Sequence, residues 1–205
     1  MTKYDINSPQ GLYQPGSNDL VLANKLGITN TVDMDEVEVV LLQKLYEDVL
    51  LNNLPQDSIT VSDIKTWHRR WLGNVYEWAG DERSVNMSKG DFQFAAAAQI
   101  PRLLNIFELD CLNRFTPCNN LDNVSLIEAI SVTHIEFILI HPFREGNGRL
   151  SRLLADVMAV QAGLHPLDYT SWDQSKDEYF AAIQQGMSMN YEPMNAWVRR
   201  AIVVS

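Results

Sequence analysis

The stretch that most constrains this chain is His141-Pro142-Phe143-Arg144-Glu145-Gly146-Asn147-Gly148-Arg149-Leu150-Ser151-Arg152. Long apolar segments abut it on both sides, and a proline with two glycines prevents them from joining into one helix. To its left, Ser125 followed by Glu128 has the form of a capping box. Leu126, Ile127, Ile130, Ile135, Phe137, Ile138, Leu139 and Ile140 then place apolar groups on nearly every side, which predicts a buried central helix over residues 125–140. Pro142 has no N–H to donate and turns the preceding residue away from helical dihedrals, so His141 is expected in an extended conformation at the mouth of a loop. To the right, Leu150, Leu153, Leu154, Val157 and Met158 predict a second helix over 150–161, with Gly163 and Pro166 as stop signals.

The turn between these helices suits an anion. Its glycines let backbone amides approach a ligand closely, and the free N–H groups and dipole of the new helix favour negative charge. Arg149 and Arg152 sharpen the point. Cations in a first helical turn oppose the dipole by roughly 0.3–1 kcal/mol each, and at i, i+3 they point to one side, so an anionic group is expected to answer both.

The rest of the chain supplies a helical frame. Val37, Val40, Leu41, Leu45, Val49 and Leu50 recur at helical spacing over 33–51, and Ser62 is the expected N-cap of a shorter helix ending at Gly73. Trp67, Trp71, Tyr76 and Trp78 are read as core, and His68 as a structural histidine. Residues 83–94 carry the one good strand signal, a hairpin around Ser88-Lys89-Gly90-Asp91. Further helices are expected over 94–112, 172–187 and 193–203, with 113–123 as the clearest loop. Residues 1–30, rich in Gly, Pro, Asn and Ser, read as an arm packed on one domain spanning 1–205. The fold class is all-α, a helical bundle with one β-hairpin.

Composition excludes several functions. With 205 residues, 46% of them hydrophobic, the chain can bury one substantial core. Its formal charge of −10 argues against nucleic acid as a partner, since phosphate backbones need a basic footprint. Cys111 and Cys118 are too few for a disulfide framework. Met1 to Asn18 has no apolar leader, and no segment is read as reaching transmembrane length, so a cytoplasmic protein without a membrane partner is expected. His134 with Glu136 fits no zinc spacing, and no Gly-x-x-x-x-Gly-Lys-Ser/Thr loop is present.

The 141–152 segment resembles, position for position, the His-x-Phe-x-Asp/Glu-Gly-Asn-Gly-Arg-x-x-Arg motif of the Fic (filamentation induced by cAMP) domain family. Leu72-Gly73-Asn74-Val75-Tyr76-Glu77-Trp78-Ala79-Gly80, Ser88-Lys89-Gly90 with Phe94-Ala95, and Asn24-Lys25-Leu26-Gly27-Ile28 are similar to matching stretches of small bacterial Fic toxins. The resemblance implies a protein adenylyltransferase that moves AMP from ATP to a Tyr, Thr or Ser hydroxyl of a target protein. It implies His141 as base, Glu145 as the holder of Mg²⁺, and Gly146, Asn147, Gly148, Arg149 and Arg152 as ATP-binding residues. The hairpin becomes a flap over the active site that holds the target by strand addition, with Lys89 and Gly90 among its ATP contacts. Phosphoryl transfer to the target, a kinase-like reaction, goes in this family with Lys at the second motif glycine; Gly148 favours AMP transfer. A non-catalytic nucleotide-binding interaction module is the other alternative, and an intact base and acid speak against it. The family's inhibitory Ser/Thr-x-x-x-Glu-Gly/Asn pattern is approached only by Ser188-Met189-Asn190-Tyr191-Glu192, which is followed by Pro193. The resemblance therefore implies restraint by a separate antitoxin whose Glu reaches Arg152.

Overall fold

The computed structural model describes residues 9–203. Helix α1 (Thr31–Glu47) runs into a π-helical turn, Asp48–Asn52. Helix α2 (Val61–Leu72) and the short strands β1 (Ser88–Lys89) and β2 (Phe92–Gln93) follow. Next come α3 (Ile100–Phe107), a π-helical turn at Glu108–Leu112 and the single turn α4 (Asn113–Phe115). Helices α5 (Asn123–Ile140), α6 (Asn147–Gln161), α7 (Thr170–Gln174), α8 (Lys176–Gln185) and α9 (Glu192–Ala201) complete the frame.

Helix α5 is the axis. Residues on all its sides are buried, from Leu126 and Ala129 to Phe137 and Ile140, and α3, α6, α8 and α9 pack around it. By length and composition it could cross a membrane, against the expectation that no segment would; 67% of it is buried inside the protein. Its apolar surface is covered by neighbouring helices, as the all-round pattern requires of a helix in a protein core.

Several element starts differ from expectation, each because another side chain reaches the exposed amides first. Asp122 caps α5, its carboxylate accepting from the Ser125 amide at 2.8 Å, so Ser125 lies inside the first turn. Thr60, with extended dihedrals, caps α2 in place of Ser62: its hydroxyl accepts from Asp63 N while Asp63 accepts from Thr60 N. The stretch expected to be helical from 94 begins at Ala97, because Phe94 and Ala95 donate to the backbone of Met87 and Leu139. The helix expected over 172–187 breaks at Ser175 (φ −124°, ψ 52°) into α7 and α8. Gly186 closes α8 where a Cβ would lie 2.2 Å from Ile135 Cγ2, so only glycine lets that end meet α5.

The hairpin is real but short, with Ser88 facing Gln93 and Lys89 facing Phe92 across Gly90-Asp91. One further backbone bond, Phe94 N to Met87 O at 3.1 Å, follows the pairs, and beyond it the carbonyls of Val85 and Ala95 accept from the Arg83 guanidinium. Part of the 1–30 stretch lies outside the described residues. In the described part, Gln10 bonds Glu82 O and Ser84 N, and Lys25 N donates to Val75 O.

Two substitutions test this frame. Thr60→Ala should cost about 1 kcal/mol of unfolding free energy through the lost cap. Gly186→Ala should cost about 1–3 kcal/mol through forced displacement at Ile135. Denaturant titration measures both, and a Gly186→Ala protein as stable as the parent would contradict the close approach.

Candidate active site

The site grows from the C-terminal end of α5. His141 ends the helix, its N–H donating to Phe137 O at 2.9 Å, and adopts left-handed dihedrals (φ 51°, ψ 59°) instead of the extended ones expected. Pro142 closes the right-handed helical region to its predecessor. What selects the left-handed alternative is the surroundings: the carbonyls of His141 and Pro142 both accept from Arg83, from its Nε and its backbone N at 2.6 and 2.7 Å. The chain thus reverses within one residue and presents the imidazole beside the hairpin.

The ring itself is tightly specified. Phe94 stacks on it at 3.8 Å between centroids and 16° between planes. Nδ1 lies 3.3 Å from Ile138 O, and because a carbonyl only accepts, Nδ1 carries the proton and Nε2 keeps its lone pair. Burial pulls the pKa down to about 4, with the positive charges of Arg83 and Lys89 acting in the same direction. The imidazole is therefore neutral near pH 7 with its basic nitrogen unengaged.

The loop that follows is closed by Asn147, whose side chain accepts from Phe143 N at 2.9 Å and donates to Phe143 O at 2.7 Å. Asn147 is 1% exposed. Its side chain clamps the loop, which leaves its backbone as the part that can face a ligand. Phe143 is buried and stacks on His68 at 4.0 Å. His68 accepts from Gly80 N at Nδ1 (2.7 Å) and so donates from Nε2 to Glu145 O at 3.1 Å. This histidine is structural, as read from the sequence, yet it holds the carbonyl of the loop's acidic residue; burial lowers its pKa to about 4, which keeps that tautomer neutral.

Helix α6 starts at Asn147, three residues before the expected 150, because Gly146 takes the left-handed conformation (φ 82°, ψ 2°) that turns the chain into it. A Cβ there would meet Trp71 at 2.5 Å, so the glycine is required twice over. At the start of α6 the amides of Asn147, Gly148 and Arg149 have no intrahelical acceptor. Gly148 is exposed, with open space where a side chain would stand.

The two arginines part company. Arg149 stacks on Trp71 at 4.6 Å and bridges Glu38 (2.7 Å) to Glu145 (3.1 Å), and Glu145 also accepts from Gly146 N. Arg152 pairs with both oxygens of Asp173, at 2.7 and 3.2 Å, over the Tyr169 ring. In this state protein carboxylates answer both guanidiniums. Glu38 was invisible in the sequence, one acid among several on α1. It is buried, accepts from Tyr76 OH at 2.8 Å, and has its pKa raised by that burial despite Arg149. Beside it lies a cavity of about 150 Å³ that reaches Glu145 and Arg149.

At the hairpin tip, Lys89 sits over the Phe180 ring at 4.4 Å and Gly90 takes a positive φ of 57° in the turn. Phe92 packs edge-on against Phe94 and Phe180. Thus Phe94, also missed in the sequence as a site residue, links the hairpin to His141. The Ser188–Glu192 stretch is not one helix: Gly186–Ser188 forms a 3₁₀ turn, Met189 is left-handed, and Glu192 begins α9, accepting from Asn195. No group of three His, Cys, Asp or Glu side chains able to cage a metal occurs among the described residues.

The Fic/DOC family model matches residues 58–159, from the start of α2 through the whole of the loop and nearly all of α6. The chain belongs to the Fic/DOC family. A probable protein adenylyltransferase of Sinorhizobium fredii is 27% identical over 191 residues, covering 93% of this chain and 95% of that protein. The protein adenylyltransferase VbhT of Bartonella schoenbuchensis is 29% identical over 197 residues, covering 90% of this chain and 39% of that protein. Among solved structures, the N-terminal Fic domain of an effector from Bartonella sp. AR 15-3 superposes with a TM-score of 0.77 at 22% identity, covering 93% of this chain and 90% of that one. BepC of Bartonella tribocorum, solved with AMPPNP, gives 0.75 at 22% identity, covering 96% and 98%. These superpositions establish the helical fold with its small hairpin.

Nuclear magnetic resonance checks the electrostatics of this Fic/DOC site. The ring nitrogens of His141 and His68 should show no protonation between pH 8 and pH 5, and His141 should be the Nδ1–H tautomer. A His141 titration centred near the ordinary imidazole value of about 6.5 would contradict the buried, stacked geometry.

Proposed function

We propose that this chain is a protein adenylyltransferase that transfers AMP from ATP to a Tyr, Thr or Ser hydroxyl of a target protein. The observation that carries the reading is a neutral His141 with Nε2 unengaged, set beside a helix start whose amides face open space at Gly148. Adenylyltransferase names among relatives along nearly the whole chain support the same activity.

The roles follow from chemistry. His141 Nε2 takes the proton of the target hydroxyl as its oxygen attacks the α-phosphorus. The new O–P bond forms as the bond from the α-phosphorus to the β-phosphate's bridging oxygen breaks, pyrophosphate leaves, and AMP stays on the target. The backbone amides of Asn147, Gly148 and Arg149 seat the phosphates beside the Gly146 turn, and the guanidiniums of Arg149 and Arg152 bind the outer ones. Both must first exchange a carboxylate for phosphate, Glu145 and Glu38 for one and Asp173 for the other. Lys89 and Gly90, at the hairpin tip, add contacts from the flap side while β-strand addition holds the target segment.

Mg²⁺ suits the donor set. Glu145 is a hard oxygen donor, its side chain 41% exposed, with one oxygen already fixed by Gly146 N. Magnesium is held by one or two carboxylates plus substrate phosphates rather than by a protein cage. Glu145 would hold the ion, which when bound neutralises phosphate charge. Gly148, where the phosphorylating variant of the family has Lys, supports AMP over phosphate as the group moved.

The chain is read as one Fic domain with residues 1–30 as its arm. A separate antitoxin is part of the reading too. It is supported by the broken Ser188–Glu192 stretch and by Glu192 bonding Asn195, so that this stretch does not present its Glu to Arg152.

Incubation with ATP labelled at the α-phosphate tests the proposal. Label should appear on protein, His141→Ala should lower transfer by about 10²–10⁴-fold with ATP affinity nearly unchanged, and Glu145→Ala should lose rate that added magnesium partly restores. Label arriving only from the γ-phosphate would overturn AMP transfer in favour of a kinase.

A further inference from the structure

Arg83 stands outside the 141–152 motif, and its environment is unusual. It is 2% exposed, yet among the described residues no carboxylate meets its guanidinium. Every contact is to a backbone carbonyl: Nε donates to His141 O at 2.6 Å, one terminal nitrogen to Val85 O at 2.6 Å, and the other to Ala95 O at 2.6 Å and Ile140 O at 3.3 Å. Its own amide donates to Pro142 O at 2.7 Å. One residue thus holds three consecutive carbonyls around the base, and in the same plane the two strand roots that flank the hairpin.

We propose that Arg83 is a positioning residue for AMP transfer, locking His141 in its left-handed conformation and clamping the hairpin root so that Phe94 stays stacked on the imidazole. The inference rests on the adenylyltransferase reading for its kinetic consequences, though not for its geometric ones.

The physical case has three parts. Left-handed dihedrals cost a non-glycine residue roughly 1–3 kcal/mol and persist only where the surroundings over-determine them; the guanidinium and amide of Arg83 are those surroundings. The carbonyls at the end of α5 carry the negative end of the helix dipole, so a cation is favoured there. Ala95 is bound at both ends, its carbonyl to Arg83 and its N–H to Leu139 O at 3.1 Å, which fixes the adjacent Phe94 against His141. The planar fork matters as much as the charge, because a lysine ammonium has no rigid array that spans carbonyls on both segments. Burial does most to keep the ring neutral, and Arg83 and Lys89 are the cations that act in the same direction.

Arg83→Lys and Arg83→Gln separate these contributions. Both should lower kcat by about tenfold or more while the KM for ATP changes by less than about threefold, since the phosphate site lies on α6. In Arg83→Gln the acid limb of the pH–rate profile and the NMR titration of His141 should both move up towards the ordinary imidazole range; in Arg83→Lys, which keeps the charge, they should stay near the parent's. Folded variants with parental kcat and parental His141 titration would overturn the proposal, as would equal loss of ATP affinity and rate. If Arg83→Gln does not fold, Arg83→Lys decides alone: a kcat loss at unchanged KM supports positioning, and parental kcat refutes it. If the parent protein transfers no AMP at all, the activity reading fails, and the His141 titration and tautomer in the variants still decide whether Arg83 sets the ring.

Discussion

The reversal of the chain at His141 is the constraint on which the site depends. A core helix ends there without a glycine, in a conformation a side chain rarely adopts, and everything next to it exists in a form that makes this tolerable. Pro142 closes the right-handed alternative, Arg83 gathers the carbonyls, Phe94 covers the ring, and Asn147 ties the far side of the loop back to Phe143. Because α5 is buried on all sides, its end cannot drift. The basic nitrogen therefore takes its position from the packing of the core.

A second consequence concerns charge. The loop between α5 and α6 concentrates guanidiniums at a helix start, an unfavourable place for them without partners. In this state the partners are the protein's own acids, and they differ in kind. Glu38 is buried and held by Tyr76, whereas Asp173 is 53% exposed at its side chain and is joined to Arg152 alone among its ion-pair partners. Each guanidinium lies over an aromatic ring, Arg149 over Trp71 and Arg152 over Tyr169, so the two differ in their acids and not in their stacking. Exposed Asp173 is the carboxylate that a highly charged ligand displaces at less cost, and buried Glu38 the one displaced at more.

Most of the frame was legible in the sequence, and the reasons are physical. The all-round apolar pattern of 125–140 has few meanings in a chain with a core of this size, and Pro142 with Gly146 announces the break between helices. The loop's histidine, acid and glycines were singled out through the motif that they share with the Fic family. Element starts were less legible, because Asp122, Thr60 and Ser125 all have capping chemistry and only the three-dimensional path decides which one meets the free amides. The supporting residues of the site were less legible: Phe94 stood within the stretch similar to the Fic flap but was given no role of its own. Glu38 and Arg83 lie 103 and 58 positions from His141 and carry no local pattern that distinguishes them from a surface acid and a strand arginine. Their roles arise from long-range contact. The expected common face of Arg149 and Arg152 failed for a related reason: spacing fixes where a side chain leaves the helix, while the available carboxylates decide where its end comes to rest.

The most direct test of the account is a crystal structure of the chain with magnesium and an ATP analogue whose α,β-bridging oxygen is replaced by methylene. The account predicts phosphates seated on the first amides of α6, Arg149 and Arg152 turned from their carboxylates to the outer phosphates, and the α-phosphorus facing the space in front of His141 Nε2, with His141 still left-handed. An analogue bound elsewhere, or bound at α6 with its α-phosphorus turned away from His141, would contradict it.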